Sequence, residues 1–410
     1  MTKLSVRDLP TDKIRGKTAL MRVDFNCPLD SAGNISDDLR IVSSLPTIRY
    51  LLERGSRIVL VSHLGRPKGK WDDALSLDPV ARHLSGLLDR KVAFIKDRLD
   101  GPPVEKIRRA ADQAVFLLEN IRFYPGEEAN TPDFSKSLAK LGHFYVNDAF
   151  GTAHRAHAST VGVTGYLQPA AAGLLMQAEI ESMSRILSKP QRPFVAVIGG
   201  AKIKDKIGVI RNLFGKIDSL LIGGAMANTF LAATGKTVGA SKYDKDQIDV
   251  ARSLIEESEK AGCGMVLPSD CVVTRALDAQ SPGRVVGANE IPEGWMAVDI
   301  GPLTREAFRE RIRGAKTVVW NGPMGVCEVD PFSLGTLDVA RIVADATRQG
   351  AFTLLGGGDS VAAVRKAGLE REISHISTGG GASLEFLAGK TLPGIEALSD
   401  KATGKGGGKR

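Results

Sequence analysis

The chain has 410 residues, of which 43% are hydrophobic and 25% charged, which is typical of an ordinary globular protein with room for two domains. Its net charge of +8 comes from residues 1–190 (+5) and the last ten residues (+4), while residues 191–400 carry −1, so no continuous basic surface for nucleic acid is indicated. The four cysteines form no C-x-x-C pair, and the sequence shows neither a signal-peptide core nor 18 consecutive apolar residues, so we predict a cytoplasmic protein without structural zinc or disulfides.

Short apolar and β-branched runs alternate with helix-like stretches along the whole chain, the pattern of parallel α/β sheets. The first half contains the predicted strands TALMRV, RIVLVS, KVAFIK, AVFLLE and HFYVND. The second half contains PFVAVIGG, SLLIGG, GMVLPSD, MAVDIG, TVVWNG, FTLLGG and SHISTGGG. Between them, residues 173–190 have helical apolar spacing and end at a proline. We therefore predict an α/β protein with two doubly wound, Rossmann-like, three-layer α/β/α domains joined by a hinge helix.

The residues that follow the first-half strands are mainly cationic, amide-bearing or imidazole-bearing, with one acidic residue among them. They are Asp24, Asn26, His63, Arg66, Arg122, His154 and Arg155. Ligands of open parallel sheets bind beyond the carboxyl ends of the strands, and guanidinium groups bind carboxylate or phosphate bidentately. The first crevice is therefore predicted to hold a small, multiply charged anion.

The stretch NDAFGTAHRAHAST, residues 147–160, allows three interpretations. A metal site at His154 and His157 would need a third ligand and would suffer repulsion from Arg155. A buried structural histidine is the simpler interpretation for His157. Arg155 is interpreted as a ligand contact, so the segment reads as part of an anion site.

The second-half strands are followed by glycine-rich loops, which let backbone N–H groups approach phosphates closely. Gly-Lys-Thr occurs at Gly16, Gly235 and Gly389, but none has the upstream glycine of a P-loop, and no dinucleotide fingerprint follows the first strand. The missing fingerprint excludes a typical nucleotide-dependent dehydrogenase. Close packing alone is an alternative explanation for the glycines of any single loop. It hardly explains glycines in six loops at strand ends.

Asp359, in LLGGGDS, follows a predicted strand and precedes a predicted helix beginning at Ser360. It is a candidate Mg²⁺ ligand, with helix N-capping as the alternative role. An anion crevice and a nucleotide–Mg²⁺ crevice together indicate phosphoryl transfer. No candidate general base accompanies them, which favours an acceptor that is already an anion.

The sequence resembles the phosphoglycerate kinase family over nearly all of residues 1–398. The resemblance rests on RVDFNCPL, SHLGRP, LLENIRF, NDAFGTAHRAHAS, GGAKIKDKI, WNGPMGVCE, LLGGGDS and STGGGASLEFL, in that order. It implies reversible, Mg²⁺-dependent transfer of a phosphoryl group between ATP and the carboxylate of 3-phosphoglycerate, giving ADP and 1,3-bisphosphoglycerate. The alternative is a non-catalytic nucleotide-binding protein on the same fold.

The resemblance also implies roles for individual residues. The expected 3-phosphoglycerate site comprises Asp24, Phe25, Asn26, Arg40, His63, Leu64, Gly65, Arg66, Arg122 and Arg155. The expected nucleotide site comprises Gly200, Ala201, Lys202, Lys206, Gly224, Gly301, Asn321, Gly322, Pro323, Gly325, Glu328, Gly357, Gly358, Asp359 and Ser360, with Asp359 as the magnesium ligand. Arg40, Lys206, Gly380 and Gly381 are implied to act on the transferring phosphoryl group, and Glu179 is implied as a hinge acid.

The implied domain plan follows the same resemblance. Residues 1–172 bind 3-phosphoglycerate, 173–190 form the interdomain helix, 191–388 bind the nucleotide, 389–398 return to the first domain, and 399–410 form a flexible basic tail. Cys27 and Cys327 depart from the family pattern, the latter beside Glu328 of the expected adenosine pocket. We expect a hinge-bending monomer whose partners are these substrates, without nucleic acid or membrane.

Overall fold

The computed structural model describes residues 2–96, 99 and 102–401 of the chain. The chain folds into two compact units, one formed by residues up to Glu181 together with the segment from Thr391 onward, the other by Ser182–Lys390. Within the described residues, no helix is both long and apolar enough to cross a membrane.

The first unit is built on a six-stranded parallel sheet with the order β3-β4-β2-β1-β5-β6. Its strands are β1 Thr18–Arg22, β2 Arg57–Val61, β3 Val92–Ile95, β4 Val115–Leu118, β5 Phe144–Asn147 and β6 Ala170–Ala172. Its helices are α1 Thr11–Ile14, α2 Leu39–Glu53, α3 Asp78–Leu88, α4 Pro102–Arg108, α5 Pro125–Glu128 and α6 Pro132–Ala139, with short 3-10 turns at Val6–Asp8, Asp73–Leu75, Ile121–Phe123, Phe150–Thr152 and Gly162–Gly165. The strand order reverses beside β1, so the loops after β4, β2, β1 and β5 are neighbours at one edge.

Burial explains why these strands form the centre of the unit. All five residues of β1 and all four of β4 and β5 are buried, as expected for a parallel sheet covered on both faces. Helices α2 and α3 pack apolar residues such as Ile48, Leu51 and Leu84 into the same core. The polar residues that follow the strands are thereby held on rigid supports.

The second unit contains a six-stranded parallel sheet with the order β15-β14-β13-β7-β8-β9. Its strands are β7 Phe194–Ile198, β8 Ser219–Ile222, β9 Gly264–Val266, β13 Thr317–Asn321, β14 Phe352–Gly356 and β15 His375–Ile376. Its helices are α8 Ile207–Leu213, α9 Gly224–Ala233, α10 Ile248–Lys260, α11 Pro302–Ile312, α12 Leu334–Arg348, α13 Gly358–Lys366 and α14 Gly381–Leu387, with 3-10 turns at Lys245–Gln247, Asp330–Phe332 and Glu370–Glu372. The predicted α/β class with two parallel sheets is confirmed.

A separate three-stranded antiparallel sheet in the second unit corrects one part of the prediction. It consists of β10 Asp270–Thr274, β11 Arg284–Gly287 and β12 Met296–Ile300, in the order β11-β10-β12. The run MAVDIG, predicted to join the parallel sheet, is β12 and pairs antiparallel with β10. The sequence prediction failed here because a short apolar run does not reveal its pairing partner. β6, β10 and β11 were not predicted.

The linking helix α7 runs from Leu174 to Ser188, inside the predicted span 173–190, and the boundary between the two units falls within it. Its N-terminus is capped by Asp148, whose Oδ1 accepts hydrogen bonds from the backbone N–H groups of Leu175 (3.0 Å) and Met176 (3.2 Å). Asp148 follows β5 directly, so the strand that leads to the predicted anion site also fixes the start of this helix.

The segment from Thr391 returns to the first unit through α15 (Pro393–Glu396). The backbone N–H of Gly394 donates to Ala153 O (2.8 Å), and that of Ser399 donates to Ala170 O (2.9 Å). The Lys401 ammonium pairs with Asp8 at 2.5 Å. Residues 399–401 are therefore held on the first unit rather than belonging to a flexible tail. The rest of the predicted tail, 402–410, lies outside the described residues.

Candidate active site

The first cluster of site residues lies at the carboxyl edge of the first sheet. Asp24 and Asn26 follow β1, His63 and Arg66 follow β2, Arg122 follows β4, and Arg155 follows β5. Because these four strands are adjacent, the loops after them bring the predicted residues to one edge of the sheet. Arg40 reaches them from the first turn of α2 and forms an ion pair with Asp24.

The electrostatics of His63 show how many cations converge here. Burial lowers the pKa of His63 well below its usual value, and nearby guanidinium groups lower it further; they are those of Arg22, Arg122, Arg40 and Arg155. We call these four residues the arginine cluster. At neutral pH His63 is therefore an uncharged imidazole among cations.

Arg122 is paired with one carboxylate but keeps a guanidinium nitrogen without a hydrogen bond in the described part of the chain: its Nε lies 3.3 Å from Glu128 Oε1. The Arg122 side chain is 2% exposed, and burial, followed by Arg155 and Arg22, lowers its pKa to about 10. Its Nη1 donates to Gly65 O (2.8 Å), whereas its Nη2 makes no hydrogen bond to any described residue. Buried donors are normally paired, so a free guanidinium N–H in a cationic crevice is suited to an anionic ligand.

The loop after β2 is held in place by hydrogen bonds from two neighbouring loops. The side-chain oxygen of Asn26 accepts from the backbone N–H of Gly65 (2.9 Å), and Asn120 donates to Leu64 O (2.7 Å). Phe25 and Leu64 are buried, so they are available to a ligand mainly through their backbone. Arg66 is exposed at the same loop.

The three interpretations of residues 147–160 can now be compared. No group of three or more metal-ligating side chains occurs among the described residues. Burial, then Arg122 and Arg22, lower the pKa of His157 to about 4, and its Nδ1 lies 3.7 Å from the buried Glu127 carboxylate. His157 is thus a neutral, structural histidine. Arg155 is half-buried, and its Nε donates to His154 Nε2 (3.2 Å).

Sequence reasoning missed Arg22, the last residue of β1. Its side chain is fully buried, and its Nη2 lies 3.2 Å from His63 Nδ1. The signal was present, because an arginine at the end of the otherwise apolar run TALMRV is unusual unless it is paired. Two of its partners, His63 in the loop after β2 and Ser159, lie far along the chain, and no local pattern identifies them.

The second cluster lies at the carboxyl edge of the second parallel sheet, after β7, β8, β13, β14 and β15. Lys206 follows β7 and donates to the side-chain oxygen of Asn321, at the end of β13. Burial lowers the pKa of Lys206 to about 8, while Asp205 and Asp359 oppose this shift. The desolvated ammonium of Lys206 is suited to binding a phosphate, and the nearby carboxylate of Asp359 is suited to binding the metal ion that accompanies a phosphate.

A cavity of about 290 Å³ lies within the second unit. It is lined by seven of the predicted nucleotide residues, namely Gly200, Ala201, Gly224, Pro323, Gly325, Glu328 and Asp359. Apolar side chains not predicted from sequence, including Leu277, Ile300, Met324 and Val326, complete the wall. An apolar cleft with a few polar groups at its edge suits a planar base and a ribose.

The glycines of these loops divide into two groups. A Cβ on Gly322 would lie 2.3 Å from Gly199 O, and one on Gly224 would lie 2.5 Å from Gly200 N, so these glycines allow neighbouring loops to pack together. A Cβ on Gly358, Gly380 or Gly381 would meet no atom within 4 Å. Packing therefore explains the first group, whereas the second leaves backbone open to a ligand.

Asp359 lies in the first turn of α13, which begins at Gly358 and not at Ser360, and the N-cap residue is Gly357. The alternative role of Asp359 as N-cap is therefore wrong. Its carboxylate is exposed and lines the cavity, as a hard oxygen ligand for Mg²⁺ should. Ser360 instead accepts a hydrogen bond from the backbone N–H of Gly322 (2.9 Å).

Eight of the fifteen predicted nucleotide residues, all in the described part of the chain, do not line this cavity: Lys202, Lys206, Gly301, Asn321, Gly322, Gly357, Gly358 and Ser360. Gly301 packs against the Asp270 carboxylate at the start of α11, and Lys202 is exposed on the loop after β7. Cys327, beside Glu328, does not line the cavity. Burial raises the pKa of its thiol to about 11.

Comparison with known proteins identifies the family. The family model for phosphoglycerate kinase matches residues 6–390. The chain belongs to the phosphoglycerate kinase family. It is 55% identical to the phosphoglycerate kinase of Moorella thermoacetica over 402 residues, covering 98% of this chain and all of that protein. The corresponding protein of Herpetosiphon aurantiacus is 54% identical over 402 residues, with the same coverage.

Solved structures from this family have the same fold. The phosphoglycerate kinase structure from Coxiella burnetii superimposes with a TM-score of 0.86 at 40% identity, covering 97% of this chain and 98% of that one. The Pyrococcus horikoshii structure gives 0.84 at 35% identity, covering 96% and 98%. The predicted family and enzyme class, a phosphotransferase, are confirmed.

Proposed function

We propose that the chain transfers a phosphoryl group reversibly between ATP and the carboxylate of 3-phosphoglycerate, with the two clusters binding one substrate each. The observation that carries this proposal is the arginine cluster around His63, where the buried Arg122 retains a guanidinium N–H without a hydrogen-bond partner among the described residues. A substrate with one carboxylate and one phosphate matches the excess of guanidinium groups in this crevice.

The proposed roles in the first unit follow from exposure and position. Arg122, Arg155 and Arg66 bind the anionic groups of 3-phosphoglycerate, assisted by His63 and Asn26. Arg40 is one third exposed and already paired with Asp24, which orients its guanidinium while leaving donors for a ligand. We assign Arg40 to the developing charge on the transferring phosphoryl group.

The proposed roles in the second unit follow from the cavity and its edge. The base and ribose of the nucleotide occupy the cavity, with Glu328 accepting from the ribose hydroxyls. Lys206 and Lys202 bind phosphates, and the open backbone at Gly380 and Gly381 receives the moving phosphoryl group. Asp359 would hold Mg²⁺, which neutralises phosphate charge when bound.

No general base is required in this scheme. The acceptor is a carboxylate, already deprotonated at neutral pH. His63 and His157 have pKa values too low to be protonated there and stay neutral. Catalysis therefore depends on positioning and on charge neutralisation by Arg40 and Lys206.

A coupled assay with 3-phosphoglycerate, ATP and Mg²⁺ tests the proposal directly. Turnover that requires all three components supports it. Nucleotide binding without turnover would instead favour the non-catalytic alternative, for which the comparisons give no support. Omitting Mg²⁺, or replacing Asp359 with asparagine, should abolish turnover if Asp359 holds the metal.

Hinge closure is part of the proposal because in-line transfer requires the reacting oxygen to approach within about 3–3.5 Å of phosphorus. The two substrates bind to different units, so both must be bound before the units close. Small-angle scattering should show a smaller radius of gyration only when both ligands are bound. An unchanged radius in a fully active sample would contradict closure. The predicted monomeric state can be checked in the same samples from the forward scattering.

A further inference from the structure

A buried chain of hydrogen bonds runs behind the first cluster. Arg22 Nε donates to Ser159 Oγ (2.8 Å), and Ser159 Oγ lies 2.6 Å from Glu127 Oε1. The backbone N–H of Ser159 donates to the second oxygen, Glu127 Oε2 (2.9 Å). Arg22 and Glu127 are 0% exposed and Ser159 is 2% exposed, so the chain is shielded from water.

The chemistry of each group fixes the direction of these bonds. A guanidinium N–H can only donate, so the Ser159 hydroxyl must accept from Arg22. That hydroxyl has a single proton, which it donates to Glu127. The opposite end of the guanidinium is anchored as well, because Arg22 Nη1 donates to Val23 O.

Arg22 also fixes the direction of its contact with the imidazole of His63. Arg22 Nη2 lies 3.2 Å from His63 Nδ1 and can only donate, so Nδ1 must be the unprotonated nitrogen. The competing partner of a protonated Nδ1 would be Asp24 Oδ1, but it lies 3.8 Å away, beyond hydrogen-bond distance. The single proton of the neutral ring is therefore on Nε2.

We propose that Ser159 and Glu127 are positioning residues that hold Arg22 so that it fixes the tautomer of His63, leaving Nε2–H as a donor for 3-phosphoglycerate. This inference rests on the proposed substrate role of His63. Neither Ser159 nor Glu127 touches the substrate in this scheme; both act through Arg22. A fixed donor reduces the cost of ordering the imidazole when the anion binds.

The charges are consistent with this arrangement. Glu127 supplies a negative charge close to the buried Arg22, to which it is linked through the Ser159 hydroxyl. Burial raises the pKa of Glu127, whereas Arg22 and the bonds from Ser159 lower it. Removing Glu127 would leave a buried guanidinium without a counter-ion, which is strongly unfavourable.

Long-range ¹H–¹⁵N spectra of the ligand-free full chain test the tautomer. The His63 signals are assigned by their absence in a His63→Asn variant. We expect a pyridine-type Nδ1 and a pyrrole-type Nε2 in the unmodified protein. In Ser159→Ala we expect a mixture of tautomers, together with a rise of about 3- to 10-fold in KM for 3-phosphoglycerate, the effect of one lost hydrogen bond. Ser159→Thr keeps the hydroxyl and should restore both.

Ser135→Ala is the matched control. Ser135 is also a fully buried serine of the first unit, but its hydroxyl bonds to Thr131 O. It should leave the His63 spectrum unchanged. If Ser159→Ala does not fold, Glu127→Gln supplies the comparison. In this variant an amide NH₂, which is a donor, replaces one of the two carboxylate oxygens that accept hydrogen bonds from Ser159.

Two results would overturn the inference: a protonated Nδ1 in the unmodified protein, or an unchanged His63 spectrum in the folded Ser159→Ala or Glu127→Gln variant. These outcomes are distinct from failure of the proposed function. The tautomer is measured without substrate, whereas absence of turnover in the coupled assay would reject the function and leave the tautomer result standing.

Discussion

Arg40 combines two features that suit a residue acting on the transition state: a carboxylate partner that orients it and an exposed remainder that can reach a ligand. We predict that Arg40→Ala lowers kcat by about 10³- to 10⁵-fold, the effect of removing an arginine that stabilises phosphoryl-transfer charge. KM for 3-phosphoglycerate should change far less, because Arg122 and Arg155 remain. Steady-state kinetics provides the measurement.

Arg49 offers a control on the same helix, since its exposed side chain donates a hydrogen bond to Leu87 O (3.1 Å), away from the first cluster. Arg49→Ala should keep normal kinetics. A steep rise in KM with intact kcat in Arg40→Ala would show that Arg40 binds the ground state instead.

Lys206 gives a pH-dependent prediction at the same scale. Burial lowers its pKa to about 8, so the ammonium that we assign to the phosphates is lost as pH rises through that value. We expect kcat/KM for MgATP to fall above pH 8, because this parameter reports ionisation of the free enzyme. In Lys206→Arg the charge persists, and the remaining activity should not decline in this range. A falling limb that persists in Lys206→Arg would assign the titration to another group.

At the scale of elements, Asp148 joins β5 to the N-terminus of α7. Burial raises its pKa to about 7, against hydrogen bonds from Thr47, Met176 and Leu175 that lower it. The unfolded chain, with a carboxyl pKa near 3.8, therefore releases this proton at lower pH than the folded protein does. The free energy of unfolding contributed by Asp148 consequently falls as pH rises from about 4 to 7 and is constant above that.

Asp148→Asn keeps the Oδ1 acceptor but cannot ionise. We predict that its stability relative to the unmodified protein improves as pH is raised from 5 to 8. Urea unfolding at several pH values measures this difference. Asp148→Ala, which loses the cap itself, should be less stable by about 1 kcal/mol at pH 5. A pH-independent difference for Asp148→Asn would show that Asp148 has an ordinary pKa.

At the scale of the whole molecule, the C-terminal segment packs on the unit that contains the N-terminal residues. The segment from Thr391 belongs to the first unit, and its backbone bonds reach Leu4, Ala153 and Ala170. We predict that truncation after Lys390 lowers the melting temperature clearly, since it removes buried residues such as Leu392 and Leu398. Truncation after Lys401 should leave it unchanged, because residues 402–410 contain almost no apolar side chain. Equal melting temperatures for both truncations would show that the returning segment does not stabilise the protein.

The sequence predicted the two parallel sheets well because strands that are buried on both faces consist of continuous runs of apolar residues. β1, β2, β4, β5, β7 and β13 all fall within such runs, and polar residues or glycines follow each of them. It failed for β12, which is just as apolar but pairs antiparallel with β10. It also failed for β6, which consists of three alanines and has no strand-specific composition.

The sequence also predicted which chemical groups follow the strands. Arginines, His63 and Asn26 follow the first-half strands, and glycines, Lys206 and Asp359 follow the second-half strands. These residues lie in short motifs at strand ends, where local order and chemistry coincide. The tertiary structure alone decided which of them meet. Arg22, Glu127 and Ser159 form one hydrogen-bonded chain although more than a hundred residues separate the first from the other two. Long-range pairing, burial and the resulting pKa shifts depend on the packing of distant segments, and no local pattern of residues contains that information.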